Sequence, residues 1–467
     1  MTTFSHFAIG RSAMRAFRLG MDLAGYNVAN SQTPGFSRRR IELGMLPIVN
    51  LTGGLAGIGV DVVSMHRVRD PFLDFSVRRE MSRYGSDSTR TEVLSAFEPT
   101  LGEIENSTLQ EALTGLFDAF EQVAVQPDSI ALREDVIAAA QRLASGLQRA
   151  DAYVVESRRT ANERIGSRAE RVNEIVRQLA KLNSEIVSQE SGGAEASDLR
   201  DERDRLLDEL SGLVAIRAVE EDDGAVSVFL DGPGDPLLVR LSARPLELRN
   251  DSDGLVRIYV SRGGESVDLT SSLRGGELGG YLQVRDTDLA GYRDRLNVLA
   301  SAVIEQFNQV HAAGFDLDGN GGLNLFEPDP PGDNAAAAIH VNAVVAADAR
   351  RIAASGVAGE PFNNTNVLAL LALREQPIAS LGTRSFGDYA ADIVAQVGRD
   401  SAEGGAAVQA SQVILDSLDQ MRNARSAVSL DEEAAELIKW QQSFDAAARF
   451  MQVVNRVTET ALTLLTE

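Results

Sequence analysis

Apolar residues recur at intervals of three and four at both ends of the chain, and this spacing predicts an amphipathic helix at each end. Near the N-terminus the stripe is Phe7, Gly10, Met14, Phe17, Met21, Ala24 and Val28. Near the C-terminus it is Leu437, Trp440, Phe444, Ala447, Met451, Val454, Thr458, Ala461 and Leu465. A three–four alternation holds one stripe against a partner helix in left-handed coiled packing. Both stripes are thin, and a lone helix of that kind is marginal in water. Each therefore needs a partner, and the chain offers one terminal stripe to the other. The alternative is two amphipathic helices packed on a globular body. Trp440, at a stripe position, reads as packing against another helix rather than as a ligand anchor.

Between the ends the helical period continues. Leu109, Leu113, Leu116, Phe120 and Val123 mark a helix from Leu101 to Val125. Pro127-Asp128 turns the chain, and the next helix runs from about Ser129 to near Gly192, with Ile165, Ala169, Val172, Val176, Leu179, Asn183 and Ile186 on one stripe. Such length without a strong break reads as a rod, although Gly146 and Gly166 lie inside it. Asp198 to Leu210 reads as a short charged helix whose acids alternate with Arg200, Arg203 and Arg205, a solvated element laced by weak ion pairs. From Val214 to about Leu278 the period drops to two, with Gly/Asp turns between short runs, which predicts a small antiparallel β unit. Helix returns over Leu282–His311, and again over Asn366–Arg374, Phe386–Val397 and Gly405–Ala424. The fold class is mainly α with an inserted small β domain, a long coiled helical bundle built from the N- and C-terminal parts and the central helices. The expected division is a terminal coiled domain (1–40 and 425–467), often disordered in the monomer, and a rod-like helical core (41–212, 282–312 and 361–424). A β domain (213–281) and an irregular or partly β outer segment (313–360) complete it.

Composition narrows the chemistry. The 467 residues suffice for about two to four domains. Against 68 acidic side chains stand 45 basic ones, a net charge of −23 that disfavours nucleic acid and anionic lipid as partners. There is no cysteine, hence no disulfide and no thiolate ligand or nucleophile. No apolar run is long enough to span a membrane, and the N-terminus does not read as a secretory signal, so export would take another route. The four histidines, His6, His66, His311 and His340, have no ligand spacing. The glycine run from Gly53 to Gly59 lacks the Gly-Lys-Ser/Thr ending of a phosphate cradle and reads as an extended hairpin arm. Asp316, Asp318, Asn320 and Glu327 fit the first, third, fifth and twelfth positions of a calcium loop, with Gly321 at the sixth. The prolines that follow forbid the exiting helix, so the weight falls on an Asp/Asn/Gly turn. Asp431-Glu432-Glu433 suits the first turn of the last helix, capped by Ser429. Arg38-Arg39-Arg40 is the one strong basic run, expected to pair with acids on a neighbouring subunit. No catalytic constellation and no cofactor is predicted.

Residues 25–40, GYNVANSQTPGFSRRR, place Asn27 and Asn30 near the end of the first helix and stop it at Pro34-Gly35. This stretch resembles the N-terminal motif of bacterial flagellar rod, hook and hook-associated proteins. Ser429–Ile438 with Gln441–Ala446 resembles their C-terminal motif. GIGVDVVSMHRVRD (57–70), DLRDERDRLLDEL (198–210) and FNQVHAAGFDLDGNGGLNLF (307–326) narrow the resemblance to the hook-associated protein 1 family. It covers about residues 3–210 and 282–467. The resemblance implies a structural, non-enzymatic subunit joining hook to filament, extracellular and secreted through the flagellar type III export apparatus. It further implies a homo-oligomeric ring, with hook protein and a second junction protein as neighbours and a cytoplasmic chaperone on the C-terminal helix. The implied assembly contacts are Phe7, Met14, Phe17, Met21, Asn27, Asn30, Pro34, Gly35, Leu437, Trp440, Phe444, Met451, Val454 and Leu465. Relatives often carry Ser-Gly-Val-Asn where this chain has Arg425–Leu430, and some are longer, so one outer domain is expected to be reduced. The alternatives are another axial protein (hook or rod), which usually lacks the long helix with its charged successor, and a calcium-binding secreted adhesin on a helical stalk.

Overall fold

The computed structural model describes residues 2–45, 48–51, 54–57, 59–102, 109–328 and 334–466. Helix α1 (Thr2–Ala29) ends in the Asn30–Gly35 turn. An antiparallel ribbon follows, with β1 (Arg39–Met45) paired to β4 (Val60–Arg67) through a bulge at Glu42/Leu43. Its tip carries β2 (Ile48–Leu51) and β3 (Gly54–Gly57), so part of the glycine run lies in a hairpin arm. Helix α2 (Pro71–Gly102) comes next, followed by α3 (Leu109–Val125). The start predicted for α3 at Leu101 falls instead in the last turn of α2.

Helix α4 (Ile130–Glu190) is the spine. Ser129 Oγ caps it by accepting from Leu132 N, and neither Gly146 nor Gly166 interrupts it. Its 61 residues span about 90 Å. Two dry cores sit along it. The first half, up to Val154, packs with α3, the end of α2 and later helices. At its centre Phe307 meets Phe117, Phe120, Phe326 and Phe386 at ring-centroid distances of 5.6–6.2 Å. The second half, from Ala161, packs with α5 (Ser197–Leu213) and the β region.

That β region is two sheets rather than one unit. Strands β5 (Ile216–Glu220), β6 (Val226–Leu230), β7 (Pro236–Val239) and β8 (Ser242–Ala243) form one sheet. Strands β9 (Glu247–Asn250), β10 (Val256–Arg262) and β11 (Glu265–Asp268) form the other. Three asparagines on α4 tie these sheets to the spine. Asn162 and Asn173 accept from Val256 N and Leu246 N at 2.8 and 2.7 Å. Buried Asn183 accepts from Val226 N and donates to Val226 O and Arg240 O.

Helix α6 (Gly276–Gln283) runs through a π turn (Val284–Asp288) into α7 (Leu289–Ala313), so the helix begins earlier than its apolar stripe suggested. The described residues of segment 313–360 are not an outer appendage. Short helices α8 (Ala335–Ala338) and α9 (Ala343–Ala347), then α10 (Thr365–Ala372), fold against the first core, and Leu325, Ile339, Val345 and Ile352 are buried there. Helix α11 (Phe386–Ser426) is continuous where two helices were expected. Gly404 does not break it because α2 lies against that side: a Cβ there would stand 2.5 Å from Thr91 Oγ1. Helix α12 (Leu430–Thr466) closes the chain. Among the described residues no helix is long and apolar enough to cross a membrane.

Candidate assembly interface

Helix α1 packs along α12, so the two terminal stripes meet within one chain. The fit is made by absence on α1 and bulk on α12. A Cβ at Gly20 would stand 2.6 Å from the Trp440 ring, and one at Gly10 would run into Met451. Phe17 lies against Trp440 at 6.0 Å between centroids. The described buried positions of α1 are Gly10, Ala16, Gly20, Leu23, Ala24 and Asn27, of which Gly10 and Ala24 belong to the stripe read from spacing and the others lie to one side of it. The larger members of that stripe, Phe7, Met14, Phe17 and Met21, stay half-buried, as do Trp440, Phe444 and Met451. Ala447 and Val454 are buried. Val28 and Leu437 are exposed, as are Pro34 and Gly35, while Asn30 is partly exposed and donates to Tyr26 O. The Leu465 side chain lies outside the described residues. Ile438, Phe450, Val453 and Val457 add further exposed apolar surface on α12.

A polar lock fixes the base of this pair. Buried Asn27 donates to Arg39 O and to Glu433 Oε2, both at 3.0 Å, and accepts from Arg39 N. Glu433 also accepts from Arg38 Nε at 2.6 Å, and Arg38 reaches Glu432 as well. Arg38 N donates to Ser426 O at 2.8 Å. The basic run thus finds its acids inside the chain: Arg39 pairs with Asp198 and stacks over Tyr26 and Phe36, leaving exposed Arg40. Glu433 does more than favour a helix dipole, because it is buried and bonded to two other segments. Ser429 does cap α12, accepting from Glu432 N at 3.4 Å.

Beyond the lock, α5 is an ionic hub rather than a solvated helix. Asp201, Arg203 and Asp204 are buried. Ser37 Oγ donates to Asp201 at 2.6 Å. Arg67 reaches Asp201, Asp204 and Glu195 at 2.9, 2.7 and 3.1 Å. Arg69 and Arg78 add contacts to Asp204, and Asp208 takes Arg78 and Arg422 at 2.8 Å each. Burial by itself would raise the Asp204 pKa, yet Arg67, Arg69 and Arg78 outweigh it and hold the carboxyl well below the usual range. Removing one member of such a set leaves an uncompensated buried charge.

The calcium-loop residues are otherwise engaged. Asp316 accepts from the backbone N of Asp318 and Asn320 and from Arg351 at 2.9 Å, Asp318 pairs with Arg350, and Glu327 accepts from Ala343 N. This is an Asx turn guarded by two arginines. No cluster of three or more His, Asp or Glu suited to a metal occurs among the described residues. His311, unassigned by spacing, is fully buried. Its Nδ1 lies 2.5 Å from Leu323 O and its Nε2 accepts from Ala353 N, which fixes a neutral ring with the proton on Nδ1. Burial lowers its pKa to about 4.

The family model described as flagellar hook-associated protein FlgK helical domain matches residues 94–326. The one described as flagellar basal body rod FlgEFG protein C-terminal matches residues 415–464. Flagellar hook-associated protein 1 of Bacillus subtilis is 27% identical, with 98% of this chain and 97% of that one covered. That of Escherichia coli is 23% identical over 97% and 98%. That of Salmonella typhimurium is 28% identical over 68% of this chain and 59% of its own. The solved structure of the flagellar hook junction protein FlgK from Burkholderia pseudomallei shares the fold. Its TM-score is 0.67 at 17% identity, over 76% of this chain and 100% of that one.

Proposed function

This chain belongs to the flagellar hook-associated protein 1 family, and we propose that it is the subunit that joins hook to filament. It is a structural protein of the flagellar axis, not an enzyme, and it assembles with neighbouring subunits. In the proposed arrangement, copies form a ring with hook protein on one side and a second junction protein on the other. The chain reaches that place through the flagellar type III apparatus, with a chaperone on the C-terminal helix beforehand. Residues 1–40 and 425–467 act as the inner coiled unit, and the β region faces outward.

The observation that carries this reading is the half-buried state of Phe7, Met14, Phe17, Met21, Trp440, Phe444 and Met451 in a pair whose bases are nevertheless locked. Burying such a side chain from full exposure is worth roughly 1.5–3 kcal/mol, and each of these has only the remaining part of that to gain from a neighbour. Ordering a residue costs about 1–2 kcal/mol, so a thin two-helix seam gains most of its stability from further neighbours. A strain lacking this chain tests the role. Hooks without filaments, with filament protein shed unpolymerised into the medium and attachment restored by the chain, are expected. Filaments attached in normal number without it would contradict the proposal.

A further inference from the structure

A cavity of about 330 Å³ lies beside the ionic hub, where the end of β4, the start of α2, α5 and the sheet of β5–β8 meet. Pro71, Asp74, Phe75 and Arg78 line it from one face of α2, and Arg200, Arg203, Asp204 and Leu207 from one face of α5. Arg67 and Arg69 reach it from the end of β4 and the residues after it. Five guanidinium groups therefore line the cavity, against the carboxylates of Asp74, Glu195, Asp204 and Glu220. Glu190, Asp201 and Asp208 pair with some of the same arginines but do not line it. Two of the five hold a buried N–H with no acceptor among the described residues, at Nε of Arg69 and Nε of Arg203. Their other contacts set both head groups at the cavity wall. Arg69 reaches Asp74 and Asp204 at 3.2 and 3.1 Å, and Arg203 reaches Glu220 at 3.1 Å and Gly224 O at 2.6 Å. Arg203 is 1% exposed, whereas the Glu220 side chain that pairs with it is 48% exposed. Burial lowers the Arg203 pKa, Asp204 and Glu220 do not offset it, and Arg200 and Arg67 add repulsion. A buried donor without an acceptor is costly, so two of them on one cavity favour a ligand that accepts.

We propose that this cavity binds a small multivalent oxyanion, of the inorganic phosphate or sulfate class, which accepts from Nε of Arg69 and Nε of Arg203. The two donors come from different segments, and each guanidinium already has an acid partner. The ligand therefore needs several acceptor oxygens on a compact body, a set that a single-atom anion such as chloride does not have. Bound there, it braces the foot of the β1–β4 ribbon and the start of α2 against α5. The site is formed within one chain and does not depend on the assembly reading.

Titration calorimetry of the full chain with sodium phosphate should give one saturable site in the low millimolar range or tighter. At about 10 mM, phosphate should raise the unfolding temperature by about 2 °C or more. Sodium chloride at the same ionic strength should do neither. Arg69→Lys keeps a cation beside Asp74 and Asp204 but removes the free Nε, and it should weaken phosphate binding by about tenfold or more. Saturable heat that is absent, that chloride reproduces, or that Arg69→Lys leaves unchanged would overturn the site. Should the variant not fold, diffraction from crystals of the unaltered chain grown with selenate decides. An anomalous peak beside Arg69 and Arg203 upholds the site, and a peak elsewhere or none at all refutes it.

Discussion

The spine and the terminal pair solve the same problem, burying a helix face, in opposite ways. Along α4 one face is buried in two long stretches, up to Val154 and from Ala161, and the cores contain Phe, Leu, Ile and Val at near-zero exposure. Along α1 and α12 the seam is thin, glycine faces the largest side chains, and the big apolar residues remain half open. Where the two regions join, the described contacts are largely polar and ionic: Asn27, Arg38 and Glu432/Glu433, then Arg67, Asp201 and Asp204. A dry core gives stability without neighbours. A thin seam held at its base by buried ion pairs gives orientation, and leaves much of the stabilising burial to neighbouring subunits.

The sharpest way to break this contrast is to damage each region and read both. Phe307→Ala should cost the isolated chain about 3–5 kcal/mol in denaturant unfolding. Trp440→Ala should barely move that transition yet reduce assembly strongly. Equal losses in the isolated chain would erase the distinction.

Acid should weaken the helical body through His311 on α7. Its folded pKa of about 4 lies below the ordinary value of 6.5, so between these values the unfolded chain binds the extra proton. The associated stability is present above pH 6.5 and is lost as pH falls towards 4, about 3 kcal/mol in all. Denaturation profiles at pH 7 and pH 4.5 should show the loss, and His311→Asn should flatten it.

Much of this contrast is legible in the sequence. The three–four spacing finds α12 from Trp440 onward, because its core positions are large and regular. On α1 it finds Gly10 and Ala24 but passes over Ala16 and Gly20, which are buried yet carry little hydrophobic signal. Helix α2 escapes for the same reason: Ser82, Gly85 and Thr89 lie on its covered side. The charged helix α5 looks solvated because its buried partners, Arg67, Arg69 and Arg78, lie more than a hundred residues away in the chain. Glu433 looks like a helix-dipole residue until Asn27 and Arg38 are brought to it.

Smaller effects sharpen the picture at the junction. Glu433→Gln should weaken the lock by about 1–3 kcal/mol. It should speed protease cleavage near Ala427–Ser429 while the cooperative unfolding of the spine stays in place. Gly20→Ala forces Trp440 aside and should loosen the pair less, about 1–2 kcal/mol, visible as a shift in Trp440 fluorescence.

Hydrogen exchange of the isolated chain and of the assembled particle tests the central claim most directly. Amides of α1 and α12 should exchange orders of magnitude faster than those of α4 in the dilute chain and slow to comparable protection on assembly. Equal protection of α1, α12 and α4 in the dilute chain, unchanged by assembly, would contradict it.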